Sequence, residues 1–257
     1  METAPHGTAN GAVVNRPVLV TGASGGIGLE VIGFLLDQGF RRLICCYRTN
    51  PAPLAALLER FDLDPNVHSF RVDLTQEGDV QSLREHVESH FGTPWGIVCL
   101  AGASRNAMSW KAGVDDFRHV LDANFLSTFL TCRAFIPAMR EQCGGRIITA
   151  ASVVAFTGTV GAGLYCAAKA AIVGWSKALA QELASRGITV NALALGYFDR
   201  GVISDVPQAM RDEICTRTPL RRLGSGREAA AAVAYLLGDE AGFVTGQSLH
   251  INGGLYS

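Results

Sequence analysis

Val18-Leu19-Val20-Thr21-Gly22-Ala23-Ser24-Gly25-Gly26-Ile27-Gly28 is the stretch that decides the fold. Val18-Leu19-Val20 reads as a short buried strand, a glycine-rich turn follows at once, and Ile27–Leu36 carries the apolar pattern of a helix. Gly22 permits a sharp exit from the strand. Gly26 lets backbone approach a pyrophosphate with no Cβ in the way, and Gly28 allows the helix to pack closely on the strand. The helix N-terminus presents unpaired N–H groups and a partial positive charge to phosphate. Gly22, Ala23, Ser24, Gly25, Gly26, Ile27 and Gly28 are therefore the candidate cradle of a dinucleotide. The glycines are spaced four then two, not the two then three of the longer-chain fingerprint, so a merely flexible turn is the alternative reading of the run alone.

Outward from this unit, short apolar runs alternate with longer helical stretches. Strands are expected at 17–21, 42–47, 67–72, 96–100, 146–150, 189–194 and 248–251, and helices near 26–38, 52–60, 76–91, 114–142, 163–185 and 226–237. Several strands are apolar through most of their length, as strands covered on both faces are. The pattern predicts a single-domain α/β protein, a Rossmann-type doubly wound parallel sheet of seven strands with helices on both faces. No internal repeat or linker divides residues 17–257, and residues 1–16, small and polar, read as a disordered tail. One stretch breaks the rhythm. Between Gly196 and Gly224 the chain is irregular and charged, with a short helix expected around 207–215, and such an excursion after a strand is where ligand-covering loops sit.

Composition narrows the class. The 257 residues are 48% hydrophobic with a formal charge of −1, which gives no reason to expect nucleic acid or an anionic membrane as partner. No apolar run reaches the roughly 18 residues of a membrane span. Seven cysteines show no C-x-x-C pair and no histidine partners at zinc spacing, so no metal is expected and a reducing cytoplasm suits them. Cys166 reads as a packed thiol in preference to a reactive one.

The strand ends supply further contacts for the cofactor. After the second strand come Tyr47, Arg48 and Thr49, with no acidic side chain to hold a ribose 2′-hydroxyl. A guanidinium takes a phosphate with two parallel hydrogen bonds, so Arg48 favours NADPH over NADH, a solvated loop arginine being the alternative. Asp73 and Leu74 close the third strand, where a carboxylate suits the adenine amino group. Leu100, Ala101 and Gly102 close the fourth, where small residues let the chain pass beside the ribose.

Tyr165 and Lys169 stand at i and i+4 on one expected helix, and so share a face. A phenol titrates near 10 and needs help to move protons at neutral pH, which a nearby ammonium gives by stabilising phenolate. Ser152, placed just beyond the fifth strand, adds a second hydroxyl donor. Two donors aimed at one oxygen are what hydride addition to a carbonyl requires. Singly, each residue has an ordinary structural reading: a cap, a surface charge, a turn serine.

From Pro17 to Tyr256 the chain resembles the short-chain dehydrogenase/reductase superfamily. The segments that carry the likeness are TGASGGIG at 21–28, LDANFLSTF around Asn124, Ser152, YCAAK at 165–169, ASRGITVNALALG at 184–196 and TGQSLHINGG at 245–254. The resemblance implies a catalytic set of Asn124, Ser152, Tyr165 and Lys169. Tyr165 is then the general acid and Ser152 steadies the carbonyl oxygen. Lys169 lowers the tyrosine pKa and holds the nicotinamide ribose, and Asn124 holds a relay water through its main chain. It also places Gly196 and Phe198 beside the cofactor. The chain most resembles the β-ketoacyl-thioester reductases, which act on acyl-carrier-protein or CoA thioesters and are usually homotetramers; Arg186 there lies near the carrier's entrance.

Three departures from the family pattern stand out: Cys99-Leu100-Ala101-Gly102 for Asn-Asn-Ala-Gly, Leu195-Gly196 for Pro-Gly, and Arg200 near a usual threonine. They suggest a specialised branch, in polyene, polyketide or another secondary pathway. A dehydrogenase of a small alcohol, sugar or steroid, and a nucleotide-binding scaffold without activity, are the alternative functions.

Overall fold

The computed structural model describes residues 14–61, 65–201 and 206–257. Seven strands, β1 (Val18–Thr21), β2 (Leu43–Tyr47), β3 (Val67–Arg71), β4 (Gly96–Cys99), β5 (Gly145–Ser152), β6 (Ile188–Leu195) and β7 (Ser248–Ile251), pair in parallel in the order β3-β2-β1-β4-β5-β6-β7. The chain winds outward from β1 through β2 to β3, then returns to place β4 on the other side of β1. That reversal is a topological switch point, and it opens a crevice at the carboxyl ends of β1 and β4.

Successive residues of a strand point to opposite faces, and here each face has its own core. Val18 and Val20 of β1 join Val98 of β4 on one side, against helices α1 (Gly26–Asp37), α2 (Ala52–Glu59) and α9 (Gly226–Leu237). Leu19, Ile97 and Cys99 join the other, against α3 (Glu77–Phe91), α5 (Ser127–Glu141) and α7 (Gly163–Leu183). Burial on both faces is why β1 is apolar throughout. β3, at the sheet edge, is VHSFR and is only half-covered.

Most expected elements, the short helix near 207–215 among them, stand within two residues of their predicted bounds, and three points differ. Ser152 is the last residue of β5 and not a residue beyond it, because β5 extends alongside β6 as far as Leu195. The helix expected over 114–142 is interrupted: α4 (Val114–Leu121) passes through a π turn at Asp122–Leu126 before continuing as α5. A short helix, α6 (Val154–Thr157), follows β5, and α8 (Gln208–Arg217) buries none of its residues. The tail expected over 1–16 lies outside the described residues up to 13. Val14 packs on the first core, and Arg16 pairs with Asp239 at 2.8 Å and stacks on Trp95.

Among the described residues, no helix is long and apolar enough to cross a membrane, and no cluster of ligating side chains suits a metal ion. Four of the seven cysteines, Cys45, Cys46, Cys99 and Cys132, are buried. Cys166 is half-buried beside Tyr165.

Candidate active site

The glycine-rich turn is shaped by close approaches. Gly22 has φ +66°, and a Cβ there would meet the backbone of Ala101 at 2.9 Å, so β1 and the end of β4 can run together only at glycine. A Cβ on Gly28 would collide with the Gly22 carbonyl oxygen, which fixes the first turn of α1 against the strand exit. Gly26 has a close neighbour within the protein as well: its missing Cβ makes room for the backbone of Gly201, arriving from beyond β6. The first turn of α1 has no side-chain cap and no acidic residue, so its N–H groups stay available to an anion.

A cavity of about 240 Å³ opens at the switch point. Eleven of the residues predicted for the cofactor line it: Gly22, Ser24, Gly25, Tyr47, Arg48, Thr49, Asp73, Leu74, Leu100, Ala101 and Gly102. Cys46, Val72, Thr75, Ala103, Ala123 and Ser127 line it too, and nothing in their chemistry marked them in advance. Ala23, Ile27 and Gly28 stand behind the wall, where Ala23 N–H donates to the Cys46 carbonyl at 2.9 Å. Thr75 holds the Asp73 carboxylate through its hydroxyl at 2.7 Å and its N–H at 3.0 Å. Burial pushes this carboxyl up, but those two bonds and the Arg48 charge outweigh it and leave it below its ordinary range. Arg48 and Asp73 thus face the same cavity with opposite charges.

Gly196 and Phe198 do not line this cavity. A Cβ on Gly196 would press on Asn252 at 2.7 Å, so leucine-glycine here accommodates the chain after β7. Phe198 is buried and bridges to Gly224. Arg200 turns to the outer side of α1, with Nε 3.5 Å from Glu30 Oε1.

At the carboxyl ends of β5 and β6, Ser152 and Tyr165 come together. The Ser152 hydroxyl is held only at 3.4 Å, donating to the Leu195 carbonyl and accepting from Val154 N–H. It stands beside the phenol of Tyr165, in the first turn of α7, and draws that phenol's pKa down. Burial is the larger effect and pushes the phenol up to about 12, with Cys166 and Tyr197 acting in the same sense. The expected lowering by Lys169 is therefore not what this arrangement produces: the phenol stays firmly protonated at neutral pH.

Lys169 is buried, and its Nζ donates to the Ala150 carbonyl at 2.7 Å. Burial pushes its pKa down to about 8. Asn124 sits in the π turn, fully buried, donating Nδ2 to Ala103 O at 2.6 Å and Val120 O at 2.8 Å. π turns inserted in α-helices are frequent at functional sites, and this one brings Ala123 and Ser127 to the cavity wall.

Arg186 is the one predicted contact the fold moves far away. It lies in the turn before β6, whereas Ser152 ends β5 at the opposite edge of the parallel sheet. The length of α7, roughly 30 Å at 1.5 Å per residue, separates it from Tyr165 within one chain.

With this geometry in place, a family model described as enoyl-(acyl carrier protein) reductase matches residues 22–256. The 3-oxoacyl-[acyl-carrier-protein] reductase FabG of Salmonella typhimurium is 36% identical over 238 residues, covering 93% of this chain and 96% of that protein. Nodulation protein G of Rhizobium sp. (strain N33) is 36% identical over 243 residues, covering 95% and 98%. FabG of Staphylococcus aureus is 34% identical over 249 residues, covering 95% and 99%. The chain belongs to the short-chain dehydrogenase/reductase family.

Proposed function

We propose that the protein is an NADPH-dependent reductase that converts a 3-oxoacyl thioester, linked to acyl-carrier protein or CoA, to the 3-hydroxyacyl thioester. The observation that carries this reading is the meeting of Ser152 and Tyr165 at the same end of the sheet as the cavity lined by the glycine-rich turn. The 3-oxoacyl reductases among the relatives support the substrate class. The open N-terminus of α1 and the Gly22 approach suit a pyrophosphate, Asp73 suits the adenine amino group, and Arg48 with Thr49 suits a 2′-phosphate.

A reduced nicotinamide held by these residues would supply the hydride for the 3-carbonyl carbon. Ser152 donates a hydrogen bond to the carbonyl oxygen, stabilising the charge that grows there. Tyr165, protonated at neutral pH, gives that oxygen its proton, and transfer from a phenol to an alkoxide runs downhill. Lys169 then returns a proton toward the phenolate. Its pKa near 8 leaves the ammonium charged at neutral pH yet ready to exchange. We assign the protein to the cytoplasm and to a homotetramer as part of the same reading.

The test is a panel of acetoacetyl-CoA, carrier-linked 3-oxoacyl chains and free ketones, each with NADPH and NADH. Thioester reduction with NADPH as the better cofactor is expected. Reduction of free ketones alone would replace the thioester reading with a small-alcohol dehydrogenase.

A further inference from the structure

Two positive charges stand side by side at the ends of β2 and β3. Arg48 follows β2, and Arg71 is the last residue of β3, the neighbouring strand. Tyr47 and Arg71 are register partners, so their side chains leave the sheet on the same face. Tyr47 and Arg48 line the cavity, and Arg71 stands beside Arg48, outside that wall. Arg71 Nε donates to the Arg48 carbonyl at 3.2 Å, which ties the two strand ends together.

The protein does not neutralise this pair. Among the described residues, no carboxylate forms an ion pair with Arg48 or Arg71. The acids at the end of β3 are engaged elsewhere: the Asp73 carboxylate accepts from the Thr75 hydroxyl at 2.7 Å and the Thr75 N–H at 3.0 Å, and Asp79 accepts the Asp73 N–H at 3.1 Å. Both arginines are exposed, so water screens their mutual repulsion and lets them stay together. The bond through Nε uses one of the five donors of Arg71. Its Nη1 and Nη2 groups, the end that grips a phosphate with two parallel bonds, remain available. Neighbouring strands lie about 4.8 Å apart, so guanidiniums rooted on adjacent strand ends can converge on one anion. A ribose hydroxyl gives two cations nothing to neutralise, whereas a phosphate monoester carries roughly −1.5 to −2 at neutral pH.

We propose that Arg71 is a second determinant of NADPH preference, its guanidinium joining Arg48 in binding the 2′-phosphate from the β3 side. The inference rests on the NADPH reading given above and adds to it a residue outside the cavity wall. The competing role for Arg71 is a tie between β3 and β2, holding only the backbone of Arg48.

Equilibrium binding to the protein alone separates the two roles without substrate or turnover. NADPH and NADH are followed by fluorescence, and 2′,5′-ADP and 5′-AMP by calorimetry. Arg71→Met removes the charge and the Nε donor and keeps the aliphatic stem. It is expected to weaken NADPH and 2′,5′-ADP by about fivefold, between the value of an exposed ion pair and that of a charge-assisted hydrogen bond. NADH and 5′-AMP should stay within about twofold. In the Arg48→Ala background, Arg71→Met should still weaken NADPH more than NADH, because the contact with phosphate is its own. An unchanged NADPH affinity in Arg71→Met would overturn the proposal, and so would equal weakening of NADPH and NADH. A selective effect that vanishes once Arg48 is alanine would overturn it too, leaving Arg71 the tie alone. The reading beneath it fails in a different way: a parent protein that binds 2′,5′-ADP no more tightly than 5′-AMP, and NADPH no more tightly than NADH, has no 2′-phosphate subsite. A parent whose NADPH preference is lost with Arg48→Ala and kept with Arg71→Met retains that reading and sinks this inference by itself.

Discussion

The Lys169 ammonium lies 5.5 Å from the centre of the Tyr165 ring, one helical turn further along α7. Burial acts on the two in opposite ways: it pushes the phenol up to about 12 and the ammonium down to about 8, so both neutral forms are favoured. Of the two, the lysine titrates closer to neutrality.

That order predicts a stability signature for Lys169. An amine whose folded pKa is depressed imposes its full cost below that pKa, and the cost fades as pH rises from about 8 toward its ordinary value of 10.5. Lys169→Met should therefore be more stable relative to the parent at pH 7 than at pH 9. Comparing the two proteins by urea unfolding cancels the contributions of Tyr165 and the buried cysteines, which oppose stability only at higher pH. A difference that is constant between pH 7 and 9 would contradict the burial cost.

Arg48 faces the cavity beside Thr49, with Asp73 across from it. Arg48→Ala should weaken NADPH roughly tenfold or more, the value of a charge-assisted pair, and leave NADH within about twofold. Asp73 would repel an added phosphate once Arg48 is gone, which enlarges the gap. Equal weakening of both cofactors, measured by fluorescence titration, would remove the 2′-phosphate role.

Gly28 is a packing requirement of the turn. A Cβ there would drive into the Gly22 carbonyl oxygen, a backbone atom with no side-chain freedom to yield. Gly28→Ala should cost about 3 kcal/mol or more, at the upper end of overpacking effects, and should weaken either dinucleotide. A urea midpoint within error of the parent would show that the turn relaxes at little cost.

Much of this was readable in advance, for physical reasons that differ by element. The β1–α1 turn was legible because Gly22 takes a left-handed backbone and Gly26 and Gly28 allow approaches that a Cβ would block. The strands were legible because burial on both faces demands continuous apolar sequence. The π turn was not: Asp122–Leu126 has the composition of ordinary helix, and its extra residue shows only in the hydrogen bonds. The inner cavity wall from Ala103, Ala123 and Ser127 was silent because alanine carries no polar group and the Ser127 hydroxyl is spent on the Ala123 carbonyl at 2.8 Å. The phenol's pKa depended on how deeply α7 packs, which spacing does not report.

Arg186 tests how far a resemblance transfers. It is exposed before β6, at the sheet edge remote from Ser152. If one chain completes its own site, Arg186→Ala should leave kcat/KM for acetoacetyl-CoA within about twofold, the usual range for a surface substitution. A loss of tenfold or more with carrier-linked substrates only would mean that a neighbouring chain presents Arg186 to the carrier.

Tyr165→Phe bears on the core of the account most directly, because it removes one oxygen and leaves the ring, the helix and the cavity wall unchanged. With acetoacetyl-CoA and NADPH in single turnover, the rate of NADPH oxidation should fall by about 10²–10⁴-fold while the NADPH dissociation constant stays within twofold. Oxidation at the parent's rate in this variant would contradict proton donation by Tyr165.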